Sequence, residues 1–462
     1  MARTRNEHLA ALLAEAGWSR AQAAAAFIRV AQESKLDDFT HIGRGHITMW
    51  VGGTMPSGQA PIVLCQALSR RLKRPITPEE LGFSDPTPPT QSALDWHIDP
   101  LIVLPDLGRS DLNADRRSLL TGAVYSITAL ALPREDWWVE MASSQPLSPV
   151  DSRRVGRGDV AIVQDMTAAF SRVDQQRGGG HGRRALVEYL RTDVTSFLHG
   201  HFASEHVRRE MYSAAGELSY LSGWMAFDNG DHALAQKYFT LAVKLAAQAD
   251  DPPLSGHILR AMAHQAIDLG FHQQGLDLAS ASMEGQRYAA ATPRERALLG
   301  VVYARSLAAI GKKRAAAKAL LNAEDDLSSA GPGIQEPNRT FFFAEASLAH
   351  ETACTLRECG DREGAVREFN RSVRTRKATT FRRTHLVTLG YLGAVQVAGG
   401  RVEEACATWS RALDAMEDGV YSGRARQAVI DIRRLLSPYR NRGVPAAARL
   451  SARATGYLSQ VD

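Results

Sequence analysis

The chain has 462 residues, a formal net charge of +5 and four cysteines. That length exceeds a single hydrophobic core and predicts about three units of 100–200 residues, while the near-balanced charge confines any basicity that could serve a nucleic acid to a local patch. Cys65, Cys354, Cys359 and Cys406 are too scattered for a disulfide framework or a cysteine zinc site, which excludes the small secreted scaffolds.

The first apolar stretch, Leu9, Leu12 and Leu13, has helical spacing, stops near Gly17, and lacks the apolar run and small-residue cleavage site of a signal peptide. A reducing cytoplasm is therefore expected. Ser19 has the chemistry to cap a second helix, Arg20 to Gln32. The stretch RGHITMWVGGTMP follows at 44–56. Ile47 and Trp50, three apart, share a helical face that can pack on a small core, which leaves Arg44, His46 and Met49 on other faces. Gly52 and Gly53 end this third helix and Pro56 keeps it from resuming. Pro61 suits the first turn of a fourth, whose Ile62, Leu64, Cys65 and Leu68 are expected to re-cover the core. Arg70, Arg71, Lys73 and Arg74 come next. No Asp or Glu occurs from Phe39 to Pro78, a pattern that suits a surface facing phosphates.

The order helix, capped helix, loop, third helix, glycine stop and further helix resembles the xenobiotic-response-element type of helix-turn-helix, the lambda-repressor-like class, over about residues 5–82. The resemblance implies binding to double-stranded DNA. By it, Ser19 and Arg20 take the place of the phosphate-contacting start of the second helix, and Arg44, His46 and Thr48 that of side chains aimed at base edges. Gln22, Gly45, Met49 and Arg70 complete the implied contact set. The loop from Glu33 to Ile42 is longer than the tight turn of the simplest members. The alternative is a head kept only as a protein-docking module, against which the acid-free stretch argues.

Ser84 to Thr90 is proline-rich and polar, and reads as a linker. Asp115 to Leu132 imitates a twin-arginine export signal at Arg116 and Arg117, yet it lies far inside the chain and is cut short by Pro133; a capped, buried helix is expected instead. A second linker is read at Ser143 to Val150. Asp159–Gln176 and Arg184–Phe197 carry helical apolar spacing, and the glycine-rich run Arg177 to Arg183 between them reads as a flexible hinge. No strand precedes it and no Lys-Ser/Thr follows, so it is not a nucleotide cradle.

Beyond residue 210 a repeat emerges, anchored on helix-ending glycines at 230, 270, 311, 360 and 400. Five residues past each stands a small residue, as Ala235, Gly275, Ala316, Ala365 and Ala405. Four further on comes a bulky one, Phe239, Leu320, Phe369 or Trp409, with Ala279 the exception; three beyond are Ala242, Ser282, Ala323, Ser372 and Ala412. Small residues at these offsets let antiparallel helices approach closely. The pattern resembles a tetratricopeptide repeat with a period longer than the usual 34, a helical solenoid of another kind being the alternative, and either predicts an extended superhelix with a long concave groove. First helices facing that groove nominate Arg260, His264, Arg305, His350 and Arg357 as contacts to an unknown peptide, small-molecule or protein effector.

The whole layout resembles actinobacterial cytoplasmic regulators that join such a head to a tetratricopeptide array, some of them restraining sporulation and antibiotic production. Arg116–Leu120, Arg177–Arg183, Gly223–Gly230, Ala235–Phe239 and Ala263–Ala266 carry the likeness besides the head. A looser likeness, of architecture alone, is to the peptide-sensing regulators of other bacteria. The expected fold is all-α: a helix-turn-helix domain (1–82), a linker (83–95), a helical connecting region (96–210) and a helical repeat domain (211–462). A homodimer is the common solution for such a head.

No catalytic group, cofactor or membrane partner is expected. His199, His201, Glu205 and His206 are the densest set of potential metal ligands, but they suit a solvated helix terminus. The adjacent carboxylates at 250–251 and 325–326 diverge on their helices, which argues against paired acid–base work. Trp137, Trp138 and Phe341–Phe343 are expected to pack in the core or between helices, with contact to a ligand the alternative. Two functions survive: a DNA-binding regulator with a sensing array, and a repeat scaffold whose head does not bind DNA.

Overall fold

The computed structural model describes residues 5–33, 36, 39–57, 59–72, 74, 76, 80–83, 93–112, 125–144, 152–440 and 444–461. The chain is all-α, an N-terminal helical domain followed by a solenoid-like helical body. The proline-rich linker, most of the second linker and the Arg116-Arg117 pair lie outside the described residues.

The head consists of α1 (Glu7–Glu15), α2 (Arg20–Glu33), α3 (Arg44–Val51) and α4 (Ala60–Leu72). Its core includes Leu9, Phe27, Val30, Ile47, Trp50, Val63, Leu64 and Leu68. Ile47 and Trp50 share the packed face as expected. Ile62 does not: it is exposed, and the helical phase puts Val63 inward in its place. α3 stops on Gly53 (φ +91°), where the Gly53 amide donates to Trp50 O and the Thr54 amide to Met49 O, closing a Schellman turn. Asn6 ties the ends together. Its side chain accepts from the Leu9 amide and donates to Leu81 O, while its backbone amide donates to Val51 O.

In the body, α5 (Pro100–Leu112), α7 (Arg157–Arg177), α8 (Gly179–Tyr189) and α9 (Thr195–Leu198) share one apolar core with α10 (Glu205–Asp228) and α11 (His232–Gln248), so that core runs across residue 210. α6 (Glu135–Ser143) packs on α11 from outside, with Trp137 buried and its Nε1 donating to Trp96 O. A short parallel bridge joins Arg154–Val155 to His201–Phe202. The pairs continue with α12 (Pro252–Asp268) and α13 (His272–Ser282), then α14 (Gln286–Ala289), α15 (Pro293–Ala309) and α16 (Lys313–Ser328). They end with α17 (Glu345–Glu358) and α18 (Arg362–Thr375), α19 (Arg382–Ala398) and α20 (Val402–Glu417), and α21 (Gly423–Arg440) and α22 (Pro445–Val461).

The five anchor glycines have φ between +79° and +88°, and each sits in the same Schellman turn; Gly230 to Phe227 O with Asp231 to Ala226 O is the first. The small and bulky positions that follow are buried on the second helix of each pair. They face small residues seven before the glycine: a Cβ on Gly223 would lie 2.8 Å from the Phe239 ring, and one on Gly393 would enter the Trp409 indole. Helices of 14–17 residues stretch the period, α14 lengthens the interval that holds the shorter α13, and the segment between α16 and α17 widens one interval further.

An open groove was expected; the array instead curls until its last pairs meet α7, α8 and α10. Arg383 on α19 reaches Asp174 on α7 at 3.1 Å and Asp228 on α10 at 3.2 Å. Thr384 Oγ1 donates to Gln175 Oε1 (2.7 Å), and the Tyr421 amide donates to Arg177 O (2.7 Å). The glycine-rich run is no hinge. Gly178 has φ +89°, its missing Cβ would overlap the Tyr421 carbonyl, and Gly179 leaves room for Met225 O. These glycines are there for contact, because only bare backbone fits where α8 starts against the turn before α21.

Candidate nucleic-acid interface and inner cavity

At the head, Ser19 caps α2: its Oγ accepts from the Gln22 amide (3.3 Å), and Gln22 Oε1 accepts from the Ser19 amide (2.8 Å). That reciprocal pair fixes the start of α2 and so places Arg20, whose Nη1 donates to Thr48 Oγ1 on α3 (3.3 Å). Thr48 in turn donates to Arg44 O (2.9 Å). Ser19, Arg20, Gln22, Arg44, Gly45, Thr48 and Met49 are all exposed. His46 is half-buried, and its Nδ1 accepts from the Gly43 amide (3.1 Å), so it caps α3 and leaves Nε2 as the nitrogen carrying the proton.

The basic run behaves differently from its sequence. Arg71 Nε donates to Ala16 O (2.9 Å), and Arg74 pairs with Glu15 (3.1 Å) and Glu80 (2.7 Å), whose hydrogen bonds hold its guanidinium above the ordinary range. The stretch is acid-free along the chain but not in space. Arg70 stands over the Phe271 ring, 5.8 Å from its centroid.

In the body, the inner faces of α7, α10, α12, α15, α17 and α19, with the segment Asn338 to Phe343, enclose a cavity of about 180 Å³. Of the five nominated residues, Arg260, His264 and His350 line it. Arg305 lies one layer beyond, donating to Asp268 (2.7 Å) and standing 3.6 Å from Glu351, and half-buried Arg357 sits over the Tyr391 ring. Burial works against the Asp268 charge, yet Arg305 and His264 hold its carboxyl well below the usual range. Burial also keeps His350 neutral, down to about 3, with Nδ1 meeting Thr388 Oγ1 at 3.0 Å. Asp174 is pushed up to about 6 by burial against the pull of Arg383, and burial raises Glu217 although Arg339 stands 3.7 Å away.

Residues that reading along the chain did not single out do much of the work here. Arg339, Arg376, Arg383 and Arg424 all line the cavity, yet in sequence they look like solvated surface charges. Phe341 and Phe342 line it half-buried, whereas Phe343 reaches the core. Lys244 was equally silent. It is buried, donates to the Asp95 and Ile98 carbonyls, and is lowered to about 8 by burial.

The remaining candidates resolve into structural roles. Glu205 is taken by Arg208 and Arg209, His206 lies 3.2 Å from Glu210, and His199 Nδ1 meets Thr195 O. No group of three potential metal ligands comes together among the described residues. Asp251 caps α12 and Asp326 accepts from Tyr288. No helix among the described residues is long and apolar enough to cross a membrane.

Comparison with known proteins finds no match among curated sequences. Residues 9–84 match the SP15 N-terminal domain, a stretch that covers the head and ends before α5.

Proposed function

We propose that the protein is a cytoplasmic, sequence-specific transcription regulator of the kind that controls development or secondary metabolism. It binds double-stranded DNA through the head as a homodimer, and its tetratricopeptide-like body receives an effector or partner. The observation that carries this reading is the exposed cluster of Arg20, Arg44 and Thr48, drawn from α2 and α3 while Ile47 and Trp50 anchor α3 in the core. A short helix held by its apolar face, with an arginine and a hydroxyl outward, suits insertion into a major groove. Catalysis plays no part in this reading.

A second reading, a repeat scaffold whose head does not bind DNA, is favoured by one fact: Arg71 and Arg74 are engaged within the head. A gel shift on genomic fragments at several salt concentrations separates the two. Replacing Arg44 by Ala is expected to cost about 1–3 kcal/mol of specific affinity, whereas replacing Arg20 weakens all sequences alike and lowers the salt slope by about one unit. Absence of any salt-dependent shift would leave the scaffold reading standing.

A further inference from the structure

The cavity inside the ring has an imbalance of charge. Six arginines line it, Arg172, Arg260, Arg339, Arg376, Arg383 and Arg424, against three carboxylates, Asp174, Glu217 and Glu351. Arg339, Arg383 and Arg424 have carboxylate partners, among them Glu295, Asp228 and Asp268 just behind the lining, and Arg172 is exposed, but Arg260 and Arg376 are buried with no carboxylate in ion-pair range among the described residues. Arg260, 2% exposed, donates to the Tyr220 hydroxyl (3.0 Å) and meets His257 Nε2 (3.1 Å). Arg376, 7% exposed, donates to Ala346 O (2.9 Å), to Ser372 Oγ (3.1 Å) and to Ser347 Oγ (3.4 Å). All of these acceptors are neutral. The Nε atoms of Arg260 and Arg376 are buried without a partner.

Burying a guanidinium without a counter-charge costs several kcal/mol, and the rings of Tyr220 and Trp224 around Arg260 offset only part of that. Such a site is stable when an anion occupies it. The walls define the rest of the occupant. Trp224, Leu298, Val302, Phe341 and Phe342 are flat or apolar, so a hydrated inorganic ion alone would leave them unfilled. In size, a cavity of about 150 Å³ is known to take benzene, so about 180 Å³ takes one ring with a small head group. Arg172 and Asn338 are the exposed members of the lining and mark where it meets solvent.

We propose that the cavity binds a single-ring aromatic carboxylate, its carboxylate neutralising Arg260 and Arg376 and its ring lying against Trp224, Phe341 and Phe342. Planar forks match a carboxylate, which gives orientation as well as charge. The assignment deepens the sensing role of the body and rests on that reading only for its consequence at the head.

The test uses the full chain and three probes, benzoate, salicylate and phenylacetate, with benzamide as neutral isostere and inorganic phosphate as ringless anion. Calorimetry and tryptophan fluorescence are expected to show at least one of the acids binding, with benzamide and phosphate at least tenfold weaker. Arg376→Gln is expected to weaken the bound acid at least tenfold, with Arg376→Lys retaining part of the affinity; a melting curve for each variant checks its fold, and Arg260→Lys is the fallback if Arg376→Gln does not fold. No binding by any of the three acids, or equal binding of benzamide or of phosphate, overturns the proposal. A gel shift with and without the acid keeps the two inferences apart. Acid binding with unchanged DNA affinity removes the coupling and keeps the site, whereas DNA binding without acid binding removes the site and keeps the regulator.

Discussion

Replacing Arg383 by Met is expected to open the ring. Arg383 joins Asp174 and Asp228 across 209 and 155 residues of chain, and all three are almost fully buried. Taking one partner from a buried ion pair costs about 3–5 kcal/mol, because the charge left behind stays buried. Here two carboxylates are left facing each other, so the upper end of that range applies at alkaline pH. The pH dependence carries a sign. Burial holds the Asp174 carboxyl up at about 6, and a raised carboxyl supports the fold below its ordinary value near 4 and withdraws that support as pH rises through 6. Loss of Arg383 moves this upper limit higher, so the deficit is largest near pH 8 and shrinks toward pH 5. Hydrogen exchange of the α7 and α19 amides reads the opening directly, alongside a melting curve. The triple variant Arg383→Met, Asp174→Asn, Asp228→Asn removes the charges together and keeps an oxygen for the Gly179 amide, so it is expected to recover most of the loss. Native-like exchange in the single variant, or a triple variant as loose as the single one, would refute this account of closure.

Gly178→Ala is expected to loosen the same junction, by about 1–3 kcal/mol from its glycine-only backbone and more from overlap with the Tyr421 carbonyl; Gly230→Ala, in open space, serves as the milder comparison in parallel melts. His350→Leu is expected to blunt acid sensitivity. His350 stays neutral in the fold down to about 3, so the unfolded chain takes the proton first and stability falls as pH drops below 6.5; removing the imidazole lessens that fall by about 1.4 kcal/mol per pH unit, checked by denaturant titrations between pH 6.5 and 4.5. An acid slope identical to that of the parent chain would mean that the imidazole is protonated in the fold.

Local signals made much of this chain legible from its residues alone. The glycine stops at 53, 230, 270, 311, 360 and 400 were readable because a left-handed residue after a helix leaves a compositional mark at one position. The small and bulky positions after the repeat glycines were readable because close helix packing constrains side-chain size at fixed spacing. The same holds for Ser19, whose capping pair with Gln22 spans a single turn. Ile62 was misplaced because the unbroken apolar run from Ala60 to Cys65 leaves the helical phase ambiguous, and the neighbouring helices chose Val63.

What only the tertiary structure decided is everything that joins distant positions. Arg71 and Arg74 read as phosphate contacts until folding brought Ala16, Glu15 and Glu80 beside them. The glycines at 178–180 read as a hinge because flexibility and close contact call for the same residue, and the chain distance to Tyr421 hides which applies. Whether a solenoid stays open or closes depends on small rotations summed over many helix pairs. No single repeat encodes that sum, so the ring, its Arg383 latch and the arginine-lined cavity within it exist only once the last pair has reached the first.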